Sequence, residues 1–401
     1  MTAARAASPA LLRAPGSERG RVGTVELFFD LVFVFAVTQL SHTLLAHMDA
    51  GGALRTGMLF LGMWWLWIYT SWVTNWLEPD HPATRLLLFA LMLGGLILSS
   101  SIPQAFAERG LVFAAVFAAM QVGRSLFTAA AFRGAGQSRV RNFLRISAWL
   151  SVSGACWIAG GLADPGTRVA WWGAALAIEY AGPAAYFRVP GLGRSTTADW
   201  DIDPGHMAER CGLFVIIALG ESLLVTGATF AELEWRGPTL AAFLVSFAGS
   251  VAMWWLYFDT GSVRAEHHFS RARDPARVAR MAYTYLHLLI VAGIIVCAVA
   301  DELVIAHPDH VSDAGIAAIL GGPALYLLGN ALFKWRTNQR PTPPLSHMAG
   351  LLALLALAPF AFAHLFPSLA LGSLTTAVLA GVAAWETLAL RRPAHARNAA
   401  T

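Results

Sequence analysis

Long apolar segments separated by short polar loops follow one another along the whole chain. A helix needs about 20 apolar residues to cross the hydrocarbon core of a bilayer, and twelve segments reach that length. This hydrophobic pattern predicts an all-α fold, a polytopic bundle of about twelve transmembrane helices. The predicted spans, numbered 1 to 12, cover roughly residues 25–46, 54–77, 84–103, 110–131, 142–162, 167–188, 206–230, 238–258, 277–300, 312–333, 346–366 and 368–390.

Composition agrees with a membrane protein. Only 13% of residues are charged and 57% are hydrophobic, whereas a soluble domain carries about 25% charged residues. The three cysteines, Cys156, Cys211 and Cys297, lie in apolar runs without metal-ligand spacing, so they are expected to be small core residues. No nucleotide-binding, nucleophile or metal motif is present in the sequence. We therefore predict no metal, no cofactor and no enzymatic activity.

The arginines and lysines indicate the orientation of the chain. If the N-terminus is cytoplasmic, only Arg55, Arg109, Arg168 and Arg236 fall in loops on the outer side. Such an excess of basic residues in cytoplasmic loops is the usual bias of membrane proteins. Both termini are therefore predicted to be cytoplasmic. The net charge of +4 then requires no nucleic-acid partner, and the expected surroundings are the lipid bilayer.

A weak internal repeat suggests two similar halves. The sequence Met-Trp-Trp-Leu at 63–66 recurs at 253–256, and the apolar run at 31–36 resembles the run at 213–218. Six spans in each half would give the halves the same orientation. The alternative is a chance match between apolar, tryptophan-rich segments. The predicted organisation is a disordered tail, a first six-helix half, a linker, a second six-helix half and a tail, at 1–24, 25–188, 189–205, 206–390 and 391–401.

Two carboxylates begin span 1. Glu26 and Asp30 are four residues apart, so they lie one turn apart on the same helix face, while Gln39 points to another side. A charged side chain at the centre of a bilayer costs about 2.5–3.5 kcal/mol, so such residues usually face a partner or a water-filled cavity. We expect a proton- or cation-binding pair, or a structural ion pair with Arg124 of span 4.

Span 7 carries a second group of polar residues. His206, Glu209 and Arg210 lie at its cytoplasmic end, and either Asp203 or the His206 region is predicted to cap its start. Glu221 falls near the middle of the membrane, where transporter sites lie. It is the first candidate for solute or ion binding, together with Asp30. The alternative is a protonated glutamic acid that donates one hydrogen bond to a neighbouring helix.

These two segments carry a family resemblance. Residues 26–42, ELFFDLVFVFAVTQLSH, resemble the opening signature of the bacterial low temperature requirement A family. Residues 209–222, ERCGLFVIIALGES, are similar to the second characteristic segment of that family. The similarity extends from about residue 20 to 390. It implies a multi-pass protein of the bacterial cytoplasmic (inner) membrane, linked by name to growth in the cold, and it supplies no substrate or mechanism.

The leading functional hypothesis is a secondary transporter or permease for a small solute or ion. Its proton- or cation-sensitive site would lie between spans 1 and 7 and use Asp30, Glu221, Gln39 and Glu26. Arg124, Glu209 and Arg210 would form a gate or structural ion pairs. The alternatives are a scaffold or sensor that transports nothing, and an enzyme that modifies lipid. The oligomeric state is left open.

Overall fold

The computed structural model describes residues 10–13, 22–196, 199, 203–259, 280–337 and 342–398. Within these ranges the chain forms twelve long helices and no β-strand. The helices are α1 Thr24–Ala46, α2 Ala50–Thr74, α3 Pro82–Ser101, α4 Gly110–Ala131, α5 Gln137–Leu162, α6 Pro165–Ala184, α7 Pro204–Glu232, α8 Gly237–Tyr257, α9 Arg280–Ala306, α10 Asp313–Thr337, α11 Leu345–Phe362 and α12 Ser368–Asn398.

Ten of these helices are long and apolar enough to cross a membrane. The other two long helices, α2 and α6, do not meet this criterion of length and apolar composition. The all-α, polytopic membrane fold predicted from the hydrophobic pattern is therefore confirmed. The helices begin and end within a few residues of most predicted spans, although α12 continues to Asn398 through the segment that the sequence suggested as a tail.

The chain divides into two compact units, and the boundary along α7 falls between Arg210 and Cys211. The first unit comprises the described parts of 1–43 and 53–210, and the second those of 44–52 and 211–401. The first two turns of α7 thus belong with α1 to α6, and the remainder of α7 belongs with α8 to α12.

Helix α2 forms the core of the first unit. Every residue from 62 to 77 is buried, which is typical of a helix surrounded by other helices on all sides. Trp64 and Trp65 are 2% and 0% exposed, whereas Trp254 and Trp255 of the second unit are 45% and 40% exposed. The repeated Met-Trp-Trp-Leu sequence therefore occupies different environments in the two units.

Polar side chains cap the C-terminal end of α5 and the N-terminal end of α6. Asp164 caps α6 by accepting hydrogen bonds from the backbone N–H groups of Gly166 and Thr167 at 3.0 and 3.1 Å. Hydrogen bonds from Thr167 hold the pKa of the exposed Asp164 carboxyl below its usual range. The guanidinium of Arg168 donates to carbonyls at the C-terminal end of α5, including Gly160 at 3.0 Å and Ala163 at 3.1 Å. These bonds satisfy backbone groups that a helix end leaves unpaired.

Close contact of α9 and α10 organises the second unit. A Cβ atom on Gly293 would lie 2.5 Å from the backbone nitrogen of Tyr326, and one on Gly322 would lie 2.8 Å from that of Cys297. Small residues allow two helix backbones to approach in this way, as is common between membrane helices. Cys211 and Cys297 are buried and form no disulfide, which confirms their interpretation as core residues, whereas Cys156 is half-buried.

Candidate functional site

Four charged or polar side chains form two buried pairs between α1 and the first two turns of α7. Glu26 Oε1 lies 3.0 Å from His206 Nε2, and Asp30 Oδ1 lies 2.9 Å from Arg210 Nη2. The two members of each pair are 180 residues apart in the sequence. The two pairs therefore follow one another in the same order along both helices, so the helices run parallel here. All four side chains are 0% exposed. We call this arrangement the acid–base ladder.

The first pair of the ladder is fully bonded. Glu26 Oε2 accepts a hydrogen bond from the backbone N–H of Gly23 at 2.8 Å and forms a salt bridge with Arg13 Nη2 at 3.2 Å. Its other oxygen contacts His206. The carboxylate therefore exchanges its hydration shell for a cation, an imidazole and a backbone donor. Such complete bonding is the condition under which a buried charge is tolerated.

Asn75 fixes the orientation of the His206 ring. The Asn75 amide oxygen accepts a bond from the Asp203 N–H at 2.8 Å, and its nitrogen donates to the Asp203 carbonyl at 2.9 Å. The same nitrogen lies 3.3 Å from His206 Nδ1, so Nδ1 is the acceptor. His206 Nε2 lies 3.0 Å from Glu26 Oε1 and 3.3 Å from Arg13 Nη2, so both ring nitrogens have neighbours that hold the ring. Asp203 also accepts from the Gly205 N–H at 2.8 Å, which confirms the predicted cap of α7.

The second pair of the ladder is held by α2. Asp30 Oδ1 accepts a second hydrogen bond from Trp67 Nε1 at 2.7 Å. Arg210 Nη2 and Nε lie 3.2 and 3.4 Å from Ser71 Oγ. The guanidinium also lies 5.7 Å from the ring centre of Trp67 and 6.0 Å from that of Phe29, within the range of cation–π attraction. Trp67 and Ser71 are one helical turn apart, so one face of α2 positions both members of the pair.

The second pair nevertheless leaves two polar atoms without partners. Asp30 Oδ2 and Arg210 Nη1 make no hydrogen bond with the part of the chain that the structure describes. Aspartate and arginine can form two parallel hydrogen bonds, and this pair uses one. One acceptor and one donor therefore remain available in a buried position.

The expected pairing of Arg124 with the carboxylates of α1 is corrected by the structure. Arg124 donates to Gln121 and, at 3.0 Å, to Thr70 Oγ1, while Asp30 is paired with Arg210. The physical reason is the direction of two neighbouring faces of α2. The face that includes Thr70 is turned to Arg124 of α4, and the face that includes Ser71 is turned to Arg210.

A second buried network of the first unit contains Glu179. Its Oε1 accepts hydrogen bonds from Ser153 Oγ at 2.7 Å and Trp157 Nε1 at 3.2 Å. Its Oε2 accepts from Gln121 Nε2 at 3.2 Å, and Gln121 in turn accepts from Arg124. The amide of Gln121 thus links a buried cation to a buried carboxylate. This network joins α2, α4, α5 and α6.

The other predicted site residues lie outside the ladder. Glu209 accepts a hydrogen bond from the backbone N–H of Val22 at 3.1 Å, and so connects the start of α7 to the residues before α1. Gln39 is half-buried in α1. Glu221 is buried in α7 and belongs to the second unit. It is therefore not part of the ladder, which contains Asp30.

Arg13 is a partner of the ladder residue Glu26 that the sequence prediction misses, because it assigns residues 1–24 to a disordered tail. Its backbone N–H donates to the Trp76 carbonyl at 3.0 Å, and its Nε donates to the Leu77 carbonyl at 3.3 Å. The Glu78 N–H donates to the Leu11 carbonyl at 3.0 Å. The side chain of Arg13 is 8% exposed, which places its cation beside Glu26. The buried Glu26 at the start of α1 was the only signal for such a partner.

No set of three or more His, Cys, Asp or Glu side chains suited to a metal ion occurs within the described ranges. The ladder mixes two carboxylates with two basic side chains. The contacts that the structure shows between them are ion pairs.

Burial of Arg13 makes a testable prediction about proteolysis. Trypsin must take the arginine side chain into its own pocket, so we expect the bond after Arg13 to be protected in the folded protein. The change Glu26→Gln removes the charge that holds the guanidinium. Cleavage after Arg13 should then become at least several times faster, as measured by mass spectrometry of the purified protein after limited digestion.

The variant Asp30→Asn is the matched control, because it also removes one buried carboxylate of α1 but lies outside the contacts of Arg13. It should leave the bond after Arg13 protected. Equal cleavage of the wild type and the Glu26→Gln variant would contradict the role given to Arg13.

Comparisons with known proteins agree with this fold. The family described as bacterial low temperature requirement A protein matches residues 21–384. A protein of Rhizobium meliloti (strain 1021), named as uncharacterized protein RA0937, is 42% identical over 392 residues, covering 97% of this chain and 94% of the relative. No solved structure matches the chain. Because the family match covers most of the sequence and includes the ladder, the chain belongs to the bacterial low temperature requirement A family of multi-pass membrane proteins.

Proposed function

We propose that this protein is a secondary transporter or permease for a small solute or ion. Its proton-sensitive group is Asp30, and the solute site lies beside Arg210, between α1 and the first two turns of α7. The proposal includes the bacterial cytoplasmic (inner) membrane as its location, with both termini in the cytoplasm. It includes no catalytic step and no cofactor.

The observation that carries the proposal is the incomplete bonding of the Asp30–Arg210 pair. Both side chains are 0% exposed, yet Asp30 Oδ2 and Arg210 Nη1 have no partner among the described residues. Burying an ion pair costs desolvation free energy. A pair that only stabilises the fold offsets this cost when every donor and acceptor is hydrogen-bonded. The spare acceptor and spare donor therefore favour a pair that also binds a proton and a solute group.

The geometry supports a simple exchange of partners. A proton that binds Asp30 Oδ2 neutralises the carboxylate and weakens its attraction for Arg210. Ser71 still holds the guanidinium through Nη2 and Nε, so an anionic group of the solute can take the place of Asp30 at Nη1 and Nη2. Proton binding to Asp30 and anion binding to Arg210 then favour the same state, in which the two side chains are separated. Each ligand therefore increases the population of that state.

A specific observation also favours the alternative of a scaffold or sensor that transports nothing. Glu26 is bonded to His206, Arg13 and the Gly23 backbone, as expected of a purely structural group. In that alternative the whole ladder fixes α7 to α1 and binds no solute. The two hypotheses differ at Asp30, where only transport requires a ligand.

The proposed orientation predicts the behaviour of reporter fusions. Because basic loops favour the cytoplasmic side, green fluorescent protein after residue 401 should be fluorescent, and alkaline phosphatase there should be inactive. Alkaline phosphatase inserted after Trp235, between α7 and α8, should be active as the matched control. Activity at residue 401 together with inactivity at Trp235 would reverse the orientation.

Thermal stability measured with a panel of solutes tests the proposed binding. The purified protein is heated at pH 5.5 and pH 8 with small carboxylates, phosphate, amino acids, sugars and inorganic cations. We expect an anionic solute to raise the midpoint of the wild type more at pH 5.5, since protonation of Asp30 releases Arg210. In Asp30→Asn the same solute should act equally at both pH values, because asparagine is neutral throughout.

The control variant is Glu179→Gln, which neutralises a buried and fully hydrogen-bonded carboxylate of the same unit. It should keep the pH dependence of the wild type. If no solute shifts the wild type, and Asp30→Asn is merely less stable at both pH values, the transport proposal fails and the scaffold remains.

A further inference from the structure

A small cavity of the second unit is lined by polar groups from several helices. It has a volume of about 30 Å³, the space of roughly one water molecule. Asp301 of α9, Ser246 of α8 and Thr375 of α12 lie on its wall. Asp301 is half-buried, and the two hydroxyl residues are 1% and 3% exposed. The sequence patterns considered above did not single out this cluster.

Two serines outside the main wall extend the cluster. Ser222 Oγ of α7 lies 3.4 Å from Asp301 Oδ2, and Ser250 Oγ lies 3.5 Å from Ser222 Oγ. These separations are long for hydrogen bonds between oxygens, whose usual distance is about 2.7–2.8 Å. Oxygens that ligate one ion at about 2.3–2.6 Å in octahedral positions lie about 3.3–3.7 Å apart. The Ser222–Asp301 separation of 3.4 Å falls in this range, which also applies to Na⁺ because Na⁺ nearly equals Ca²⁺ in radius.

Ser246 provides an independent observation. Its hydroxyl oxygen is buried and makes no short hydrogen bond with any described residue, although it lies close enough to the Asp301 carboxylate to interact with it. A buried hydroxyl without a hydrogen-bond partner costs free energy, so a ligand that contacts this oxygen would stabilise the protein. Because Ser246 shares the cavity wall with Asp301, one ion in the cavity would serve both residues.

A backbone carbonyl adds a further oxygen. Pro323 lies inside α10 and has no N–H, so the carbonyl of Ile319, four residues earlier, loses its usual helical donor. Both residues line the cavity. Transporters bind Na⁺ through such carbonyls at interruptions of membrane helices.

We propose that the second unit binds one sodium ion in this cavity, through the carboxylate of Asp301, the hydroxyl of Ser246 and the carbonyl of Ile319 on its wall. Ser222 contacts the Asp301 carboxylate from outside the wall. Asp301 is the only carboxylate among the described residues of the cavity wall. One negative charge balances a monovalent cation and leaves a divalent cation unbalanced. The oxygen ligands and the small volume favour Na⁺ over the larger K⁺. The site stands whether or not the protein transports a solute.

The test is direct binding of radioactive ²²Na⁺ to the purified full-length protein in a choline buffer of constant ionic strength. We expect saturable binding of one ion per chain, displaced by unlabelled Na⁺ at much lower concentration than by K⁺. Asp301→Asn should abolish binding. Ser246→Ala should weaken it about tenfold, since one ligand is lost, and this smaller change is expected to leave the fold intact.

Ser99→Ala is the matched control, because the Ser99 hydroxyl is buried in the first unit and bonded to the carbonyl of Gly95 at 2.8 Å. It should bind ²²Na⁺ like the wild type. The proposal is overturned if the folded wild type binds no ²²Na⁺ at 100 mM, if K⁺ competes as well as Na⁺, or if both cavity variants bind like the wild type. These results leave the proposal for Asp30 and Arg210 untouched, because that pair lies in the first unit.

Discussion

The pairing of Asp30 with Arg210 is the interaction on which the first unit depends. Both charges are buried, and removing one partner of such a pair usually costs about 3–5 kcal/mol. The fold must therefore keep the first two turns of α7 beside α1. Trp67 and Ser71 of α2 bind the same two side chains, so the pair joins three helices at one point. The Asp30–Arg210 and Glu26–His206 pairs together determine the register of the first two turns of α7 against α1.

This constraint explains the polar character of α2. The helix is buried from residue 62 to its end at Thr74, where apolar side chains are usual. It instead carries Thr70, which bonds Arg124, and Ser71, which contacts Arg210. Each buried guanidinium needs oxygen acceptors, and hydroxyls supply them with little volume. The central helix thus supplies hydrogen-bond acceptors to Arg124 and Arg210 in place of water.

The sequence predicted the helices well because crossing a bilayer imposes a length and an apolar composition. It also identified Glu26, Asp30 and Arg210 as charged residues of predicted spans. It named Arg124 as the structural partner of the carboxylates of α1, and that prediction is wrong, because the face of α2 with Thr70 is turned to Arg124 and the face with Ser71 to Arg210. Arg13 was missed because it lies in a polar segment without helical periodicity. Asp301 was overlooked because its partners come from helices distant in sequence.

A double-mutant cycle measures the specific coupling of Asp30 to Arg210. The free energy of unfolding in detergent is measured for Asp30→Asn, Arg210→Gln and the double variant, with Asp30→Asn and Arg124→Gln as the parallel cycle. We predict a coupling of about 2 kcal/mol or more for Asp30 with Arg210, and nearly additive effects for Asp30 with Arg124. Additive effects for Asp30 with Arg210, or strong coupling with Arg124, would contradict the account.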